Sequence, residues 1–408
     1  MKCRHCDTEL ANTFIDLGSS PPSNSYLTQE TIKGPEKWYP LRVLVCRQCW
    51  LVQTEDFVDT GEMFSEDYAY FSSCSTTWVE HARSYVNEAT QRFNLNAKSN
   101  FVEIAANDGY LLQFVKEHGI PCYGIEPTHS TAEAARKKGI EIIDEFFGAT
   151  LAEKMAESGR QADFTAANNV LAHVPDINDF VKGFSILLKP TGVATFEFPH
   201  LLNLVQQNQF DTIYHEHYSY LSLTAVNSIF RSNGLEIFDV EELSTHGGSL
   251  RVFAQRSDHG KHKMNTAVSK LLAREQELGM LNLLFYEGFQ QKAEKIKDDL
   301  LAFLLDAKKE GKNVIAYGAA AKGNTILNFA GIRSDLIQYV VDRSSAKQGK
   351  YMPGSRIPIV KEEILQADTP DYVLILPWNL RNEISGQLKY VQAWGGQFVT
   401  AIPKIKVD

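Results

Sequence analysis

The chain has no run of about 18 apolar residues, so no segment reads as a membrane span. It also lacks a dense basic stretch. With 41 Lys and Arg against 50 Asp and Glu, the formal charge is -9, which excludes a body built to displace phosphate counterions from nucleic acid. A few local cations still suffice for a small anionic substrate. Cysteine is scarce, six in 408 residues, too few for the disulfide framework of a secreted protein. The opening Met1-Lys2-Cys3-Arg4-His5-Cys6 lacks the apolar segment of a secretory signal. Internal repeats and low-complexity tracts are missing as well. These absences predict a reduced, cytoplasmic chain with no nucleic-acid or membrane partner, monomeric or a small homo-oligomer. What remains is ordinary globular composition, 44% hydrophobic and 22% charged, at a length suited to two or three domains.

Four zones follow. Residues 1–95 are turn-rich and hold five of the six cysteines, four of them in CxxC pairs. Residues 96–260 alternate short β-like runs with helical patterns, which predicts a parallel α/β sheet. Residues 261–312 are charged, Leu-rich and helically spaced, reading as one or two connecting helices. Residues 313–408 begin a second β-α alternation.

Two CxxC pairs, Cys3-x-x-Cys6 and Cys46-x-x-Cys49, are separated by 39 residues. Each sets two thiolates on one tight turn, and two such turns supply the four soft ligands of a structural zinc site. A redox pair is the competing reading, but redox CxxC motifs usually come singly.

Phe101 to Leu112, FVEIAANDGYLL, reads as a strand, a small-residue turn and a helix start. Glu103 and the turn residues Ala105, Asn107 and Gly109 let a cofactor approach the backbone closely. Glu126 ends the second strand, where a carboxylate can accept both ribose hydroxyls. Asp144 and Phe146 follow a third apolar run, a carboxylate and an aromatic to bracket adenine. The fourth strand ends in two amides, Asn168 and Asn169. Taken singly, each is a loop residue or strand terminator. Their order predicts a class I S-adenosylmethionine (SAM) core, whereas a nicotinamide dinucleotide would call for G-x-G-x-x-G.

Tyr214-His215-Glu216-His217-Tyr218 is dense in titratable groups. His217 is the candidate general base, with Glu216 and Tyr214 as orienting or acid partners. A metal site through His215 and His217, on one face of a strand, and a plain surface loop are the rival readings. His173 follows the fourth strand, near the crevice or as a core histidine. Tyr68 and Tyr70 read as packing or as a lid. His246 and Arg251, in HGGSLR, suit a phosphate or carbonyl contact. In the last zone Tyr317, Gly318 and Lys322 form a strand, turn and helix start suited to a pyrophosphate, and Asp342 matches a ribose-binding acid. A folding domain without ligand is the alternative there.

Together these motifs resemble the sugar C-methyltransferases that act on nucleotide-linked 4-keto deoxysugars, close to the 3-C-methyltransferases. The resemblance spans the chain: the CxxC pairs, VEIAANDG, IEP, DEFFG, the run at Tyr214, HGGSLRV, YGAAAKGNT and VDRSSAKQGKYMPG. It implies a zinc-binding N-terminal domain, a SAM core, and a C-terminal α/β domain that helps to hold the nucleotide. It also implies active-site roles for Tyr68, His173, Tyr214, Glu216 and His217. The family usually has glycine where Ala106 or its neighbour stands, which would add one methyl group near the cofactor. The implied chemistry is removal of a C–H proton beside a ketone, then attack of the enolate carbon on the SAM methyl group. O- or N-methylation, binding without turnover, and a dehydrogenase or epimerase are the alternatives.

Overall fold

The computed structural model describes residues 1–57 and 71–408; Tyr68 and Tyr70 lie outside them. The N-terminal part is an antiparallel meander, β1 (Asn12–Ser20), β2 (Tyr39–Val45) and β3 (Val52–Thr54). The cysteine turns sit before β1 and between β2 and β3.

The central sheet uses β4 (Phe101–Ile104), β5 (Cys122–Ile125), β6 (Glu141–Ile143), β7 (Ala162–Asn168) and β8 (Leu188–Pro199). A two-residue strand, β9 (Ser219–Tyr220), leaves this sheet and pairs with β3. The hairpin β10 (Leu235–Leu243) and β11 (Ser249–Arg256) completes the order β10-β11-β8-β7-β4-β5-β6. Strands β4 to β8 are mutually parallel, and β11 runs against β8 and β10. β7 is almost continuously buried, as a strand covered by helices on both faces must be. On one face the helix Thr76–Arg92 buries Trp78, Ala82, Tyr85, Val86 and Ala89, three or four residues apart, against Phe101 and Phe164. Ser75 caps it by accepting from the Trp78 amide. On the other face Ile177–Leu187 packs Phe180, Val181 and Phe184. The sheet winds both ways from β4, so the loops leaving β4 and β7 diverge and open a crevice. This is the class I methyltransferase core expected from the sequence.

Two helices, Thr266–Glu277 and Phe289–Lys309, lead to a third sheet. It comprises β12 (Val314–Tyr317), β13 (Val340–Val341), β14 (Ile359–Val360), β15 (Tyr372–Ile375), β16 (Gln397–Thr400) and β17 (Lys406–Val407). Its order is β14-β13-β12-β15-β16-β17, parallel except for β17. One apolar cluster joins the parts: Phe14 of β1, Phe210 of the core, Leu300 of the second connecting helix, Ile326 of the helix Ala321–Phe329, and Leu374 of β15. No described helix is long and apolar enough to cross a membrane.

Candidate active site

The cysteines form one cluster. The four sulfurs lie within 4.8 Å of one another, with Cys3–Cys49 and Cys6–Cys46 at 3.5 Å. Tetrahedral zinc with Zn–S bonds near 2.3 Å sets sulfurs about 3.8 Å apart, so the donor set fits. The two turns are built alike: Asp7 N–H donates to the Cys3 carbonyl and Trp50 N–H to that of Cys46. Asp7 and Trp50 both hold positive φ, 58° and 61°, which turns the chain sharply after each second cysteine. All four positions are taken by thiolates, so zinc here has a structural role.

In the crevice, the β4 turn is strained: Ala105 and Asn107 have φ of 58° and 47°. Glu126 fixes the turn, accepting from the Asn107 amide at 2.8 Å and the Thr128 amide at 2.9 Å. The Asn107 side chain accepts from the Ser72 amide at 2.9 Å. Glu103 is buried, and burial followed by the charges of Asp108 and Glu126 pushes its carboxyl well above the usual range. Glu103 Oε2, Asp108 Oδ1 and Asn168 Oδ1 are buried without a hydrogen-bond partner among the described residues. Buried polar atoms need partners, and these acceptors fit the ammonium and hydroxyl donors of SAM. Gly109 has φ of 73°, and a Cβ there would lie 2.4 Å from Ile140 Cδ1. Asp144 is tied to His129 at 3.1 Å and is exposed, as is Phe146 at 64%; both stand at the rim. The Ala106 methyl group, expected near the cofactor, points into the protein core. It is fully buried in the core against Gly124, where an added Cβ would meet it at 2.5 Å.

The titratable run forms a turn rather than a strand, because the His217 amide closes on the Tyr214 carbonyl at 2.9 Å. His215 and His217 therefore part company. His215 Nε2 faces the Pro40 carbonyl at 3.1 Å, and the metal alternative has no geometry here. His217 Nδ1 lies 2.8 Å from the Thr212 carbonyl, which requires that nitrogen to carry the proton. Nε2 is then the lone-pair nitrogen, and the Tyr214 hydroxyl donates to it at 2.9 Å. His173, in the turn after β7, meets the His217 ring at 4.6 Å between centroids, joining crevice and titratable run. Burial, then the neighbouring His173, holds His217 well below the usual histidine range; burial likewise brings His173 down to about 4. Glu216 is buried and pushed up to about 7 by burial, although the Asn24 amide donates to both its oxygens at 2.9 and 2.7 Å.

Asn24 belongs to the β1–β2 connection and was not anticipated. That connection is pinned across the molecule: Asn324 Nδ2 donates to the Ser23 carbonyl at 2.5 Å, and the Tyr26 hydroxyl to the Ala319 carbonyl at 2.6 Å. The Pro21-Pro22 pair signals a stiff turn, but nothing local names its partners.

His246 has φ of 54° and packs edge-on against Trp78 at 4.9 Å. Burial and the Lys322 ammonium lower it to about 4. Arg251 is buried behind the site, paired with Glu197 at 2.9 Å and stacked on Tyr85 at 4.4 Å. It braces the sheet, and its guanidinium is already engaged.

In the last domain the expected pyrophosphate turn is partly spent. Ala319 N–H donates to Asp342 at 2.7 Å and Ala320 N–H to the Gly318 carbonyl at 2.8 Å. Asp342 also accepts from the Ser344 amide at 2.8 Å, so it shapes the loop. Tyr317 donates to Glu362 at 3.1 Å within the apolar core of this domain. Gly318 has φ of 89° and lets Pro377 pack closely, a Cβ there lying 2.5 Å from Pro377 Cδ. Lys322 donates to Asn379 at 2.8 Å, and of this set its charge alone contributes to holding His217 and His246 down. Asp211, pushed up to about 6 by burial against the pull of Lys322, completes the group.

Three family models match the chain. "Putative zinc binding domain" covers residues 3–64, "Methyltransferase domain" 78–240 and "C-methyltransferase C-terminal domain" 244–403. The C-methyltransferase NovU of Streptomyces niveus is 34% identical over 406 residues, spanning 100% of this chain and 96% of that protein. Solved structures overlap only partly. A magnesium protoporphyrin IX methyltransferase from Synechocystis with bound SAH shows 15% identity over 50% of this chain and 90% of its own, with a TM-score of 0.36. A SAM-dependent methyltransferase from Clostridium acetobutylicum shows 12% identity over 44% and 92%, also at 0.36. The fold assignment rests on the sheet order. With a relative this similar along its whole length, the chain belongs to the C-methyltransferase family and is a SAM-dependent methyltransferase with a structural zinc site.

Proposed function

We propose that the chain methylates C3 of a nucleotide-linked 4-keto deoxysugar, as its resemblance to the sugar C-methyltransferases implies. The observation that carries this reading is the contact between His173, at the mouth of the cofactor crevice, and His217, whose Nε2 lone pair accepts from the Tyr214 hydroxyl. A ketone acidifies the neighbouring C–H, and His217 takes that proton; burial keeps the imidazole neutral and ready to accept it. Tyr214, hydrogen-bonded to the same nitrogen, relays the proton or donates to the oxygen. Glu216, steadied by Asn24, accepts from a sugar hydroxyl. SAM supplies the activated methyl group, held by Glu103, Ala105, Asn107, Gly109, Glu126 and Asn168, with Asp144 and Phe146 at the rim. The division of labour is zinc-binding for residues 1–95, SAM-binding for 96–260, helical connection for 261–312 and nucleotide-sugar contacts for 313–408. Tyr68 keeps its proposed role as a catalytic residue and Tyr70 as a substrate-binding one. A cytoplasmic enzyme, monomeric or a small homo-oligomer, fits this reading. The test is incubation with isotopically labelled SAM and a panel of nucleotide-linked 4-keto sugars. Label on C3, resistant to mild acid, is expected; label on oxygen or nitrogen would overturn the reading.

A further inference from the structure

The loops leaving β12 and β15 wall the crevice of the C-terminal sheet, where the strand order reverses. Lys322 stands on one wall and Trp378–Asn379 on the other. The Lys322 ammonium donates to Asn379 Oδ1 at 2.8 Å and lies 4.9 Å from the Trp378 ring centre. Its charge therefore rests on a neutral amide and an aromatic face. The Trp378 indole N–H donates to Asp211 Oδ2 at 2.7 Å, one residue before Thr212, whose carbonyl holds His217. Trp378 also packs on Gly247 beside His246, where a Cβ would lie 2.4 Å from its ring. One helical turn from Lys322, the Thr325 hydroxyl donates to the Ile213 carbonyl at 2.8 Å. Lys322 is thus held by Asn379 and Trp378, and Trp378 and Thr325 tie its two walls to the segment that carries the base.

We propose that Lys322 is a further catalytic residue, its ammonium stabilising the enolate oxygen as His217 removes the adjacent proton. The proposal rests on the enolate reading above. In this step the C–H proton goes to His217 Nε2, the C–H pair becomes the C=C bond, and the carbonyl π pair moves to oxygen beside Lys322. On transfer, the C=C pair forms the new C–CH₃ bond, the carbonyl is restored, and S-adenosylhomocysteine leaves. A cation placed where charge develops stabilises the transition state more than the ground state. A phosphate role is the rival, but two amides of the same turn are already spent on Asp342 and Gly318.

The test measures C–H exchange in deuterated water, by NMR, on a thymidine-diphosphate-linked 4-keto deoxysugar with S-adenosylhomocysteine present. Binding of thymidine diphosphate is measured alongside. For Lys322→Met, exchange should fall about 10²–10³-fold, with diphosphate affinity within about threefold of wild type. Lys322→Arg, which keeps the charge, should retain more than a tenth of wild-type exchange and guards against a folding defect. Unchanged exchange with a tenfold loss of diphosphate affinity would make Lys322 a phosphate ligand and overturn the proposal. No exchange in the wild type would remove the enolate reading and this inference with it.

Discussion

At the scale of single residues, the account turns on protonation. With Nδ1 bound to the Thr212 carbonyl, His217 is locked in one tautomer and offers Nε2 to the site. His217→Gln should lower kcat about 10²–10⁴-fold while SAM affinity, measured by calorimetry, stays unchanged. Glu216 makes a separate prediction. Its pKa is raised by burial from 4.5 to about 7, so the folded state holds the proton more tightly than the unfolded chain. That stability is complete below about pH 4.5 and is lost as pH rises through 7. Glu216→Gln should therefore gain on the wild type between pH 5 and 8, by up to about 3 kcal/mol, read as melting temperature against pH. The titratable run was legible because its members are adjacent in sequence. Asn24 and Asp211 were missed because each acts on a group far along the chain.

At the scale of elements, the sequence pattern carried the core well. Alternating apolar runs and helices foretold the parallel sheet, since strands buried on both faces must be apolar throughout. The failure of the rival metal reading of residues 214–218 has a local cause. Two histidines at spacing two fit a strand, yet the tight turn closed by the His217 amide points them apart. The packing partner of the alanine in the β4 turn, Gly124, lies on the neighbouring strand, out of reach of local sequence reading. Ala106 and Gly124 form a matched pair, so Gly124→Ala should cost about 1–3 kcal/mol in urea unfolding. Ala106→Gly combined with it should recover part of that loss, a coupling a double-mutant cycle will show. At Gly247, with φ of 88° and Trp378 against its open side, alanine should destabilise the junction by a similar amount and lower activity with it.

At the scale of the whole molecule, three sheets meet around one cluster of titratable groups. The zinc turns brace the meander whose β3 pairs with β9, two residues after His217, and whose connection delivers Asn24 to Glu216. Metal analysis should find one zinc per chain, and a chelator should lower the melting temperature and abolish methylation together. The C-terminal sheet presses Trp378 and Lys322 onto the same segment. Such convergence is a property of the packed chain, and only the whole-length resemblance carried a trace of it. The most direct test of the central claim is NMR of the product formed from ¹³C-methyl SAM and a nucleotide-linked 4-keto deoxysugar. The account predicts a methyl carbon bonded to C3 beside the ketone. A methyl bonded to oxygen or nitrogen, or no product with any keto sugar, would contradict it.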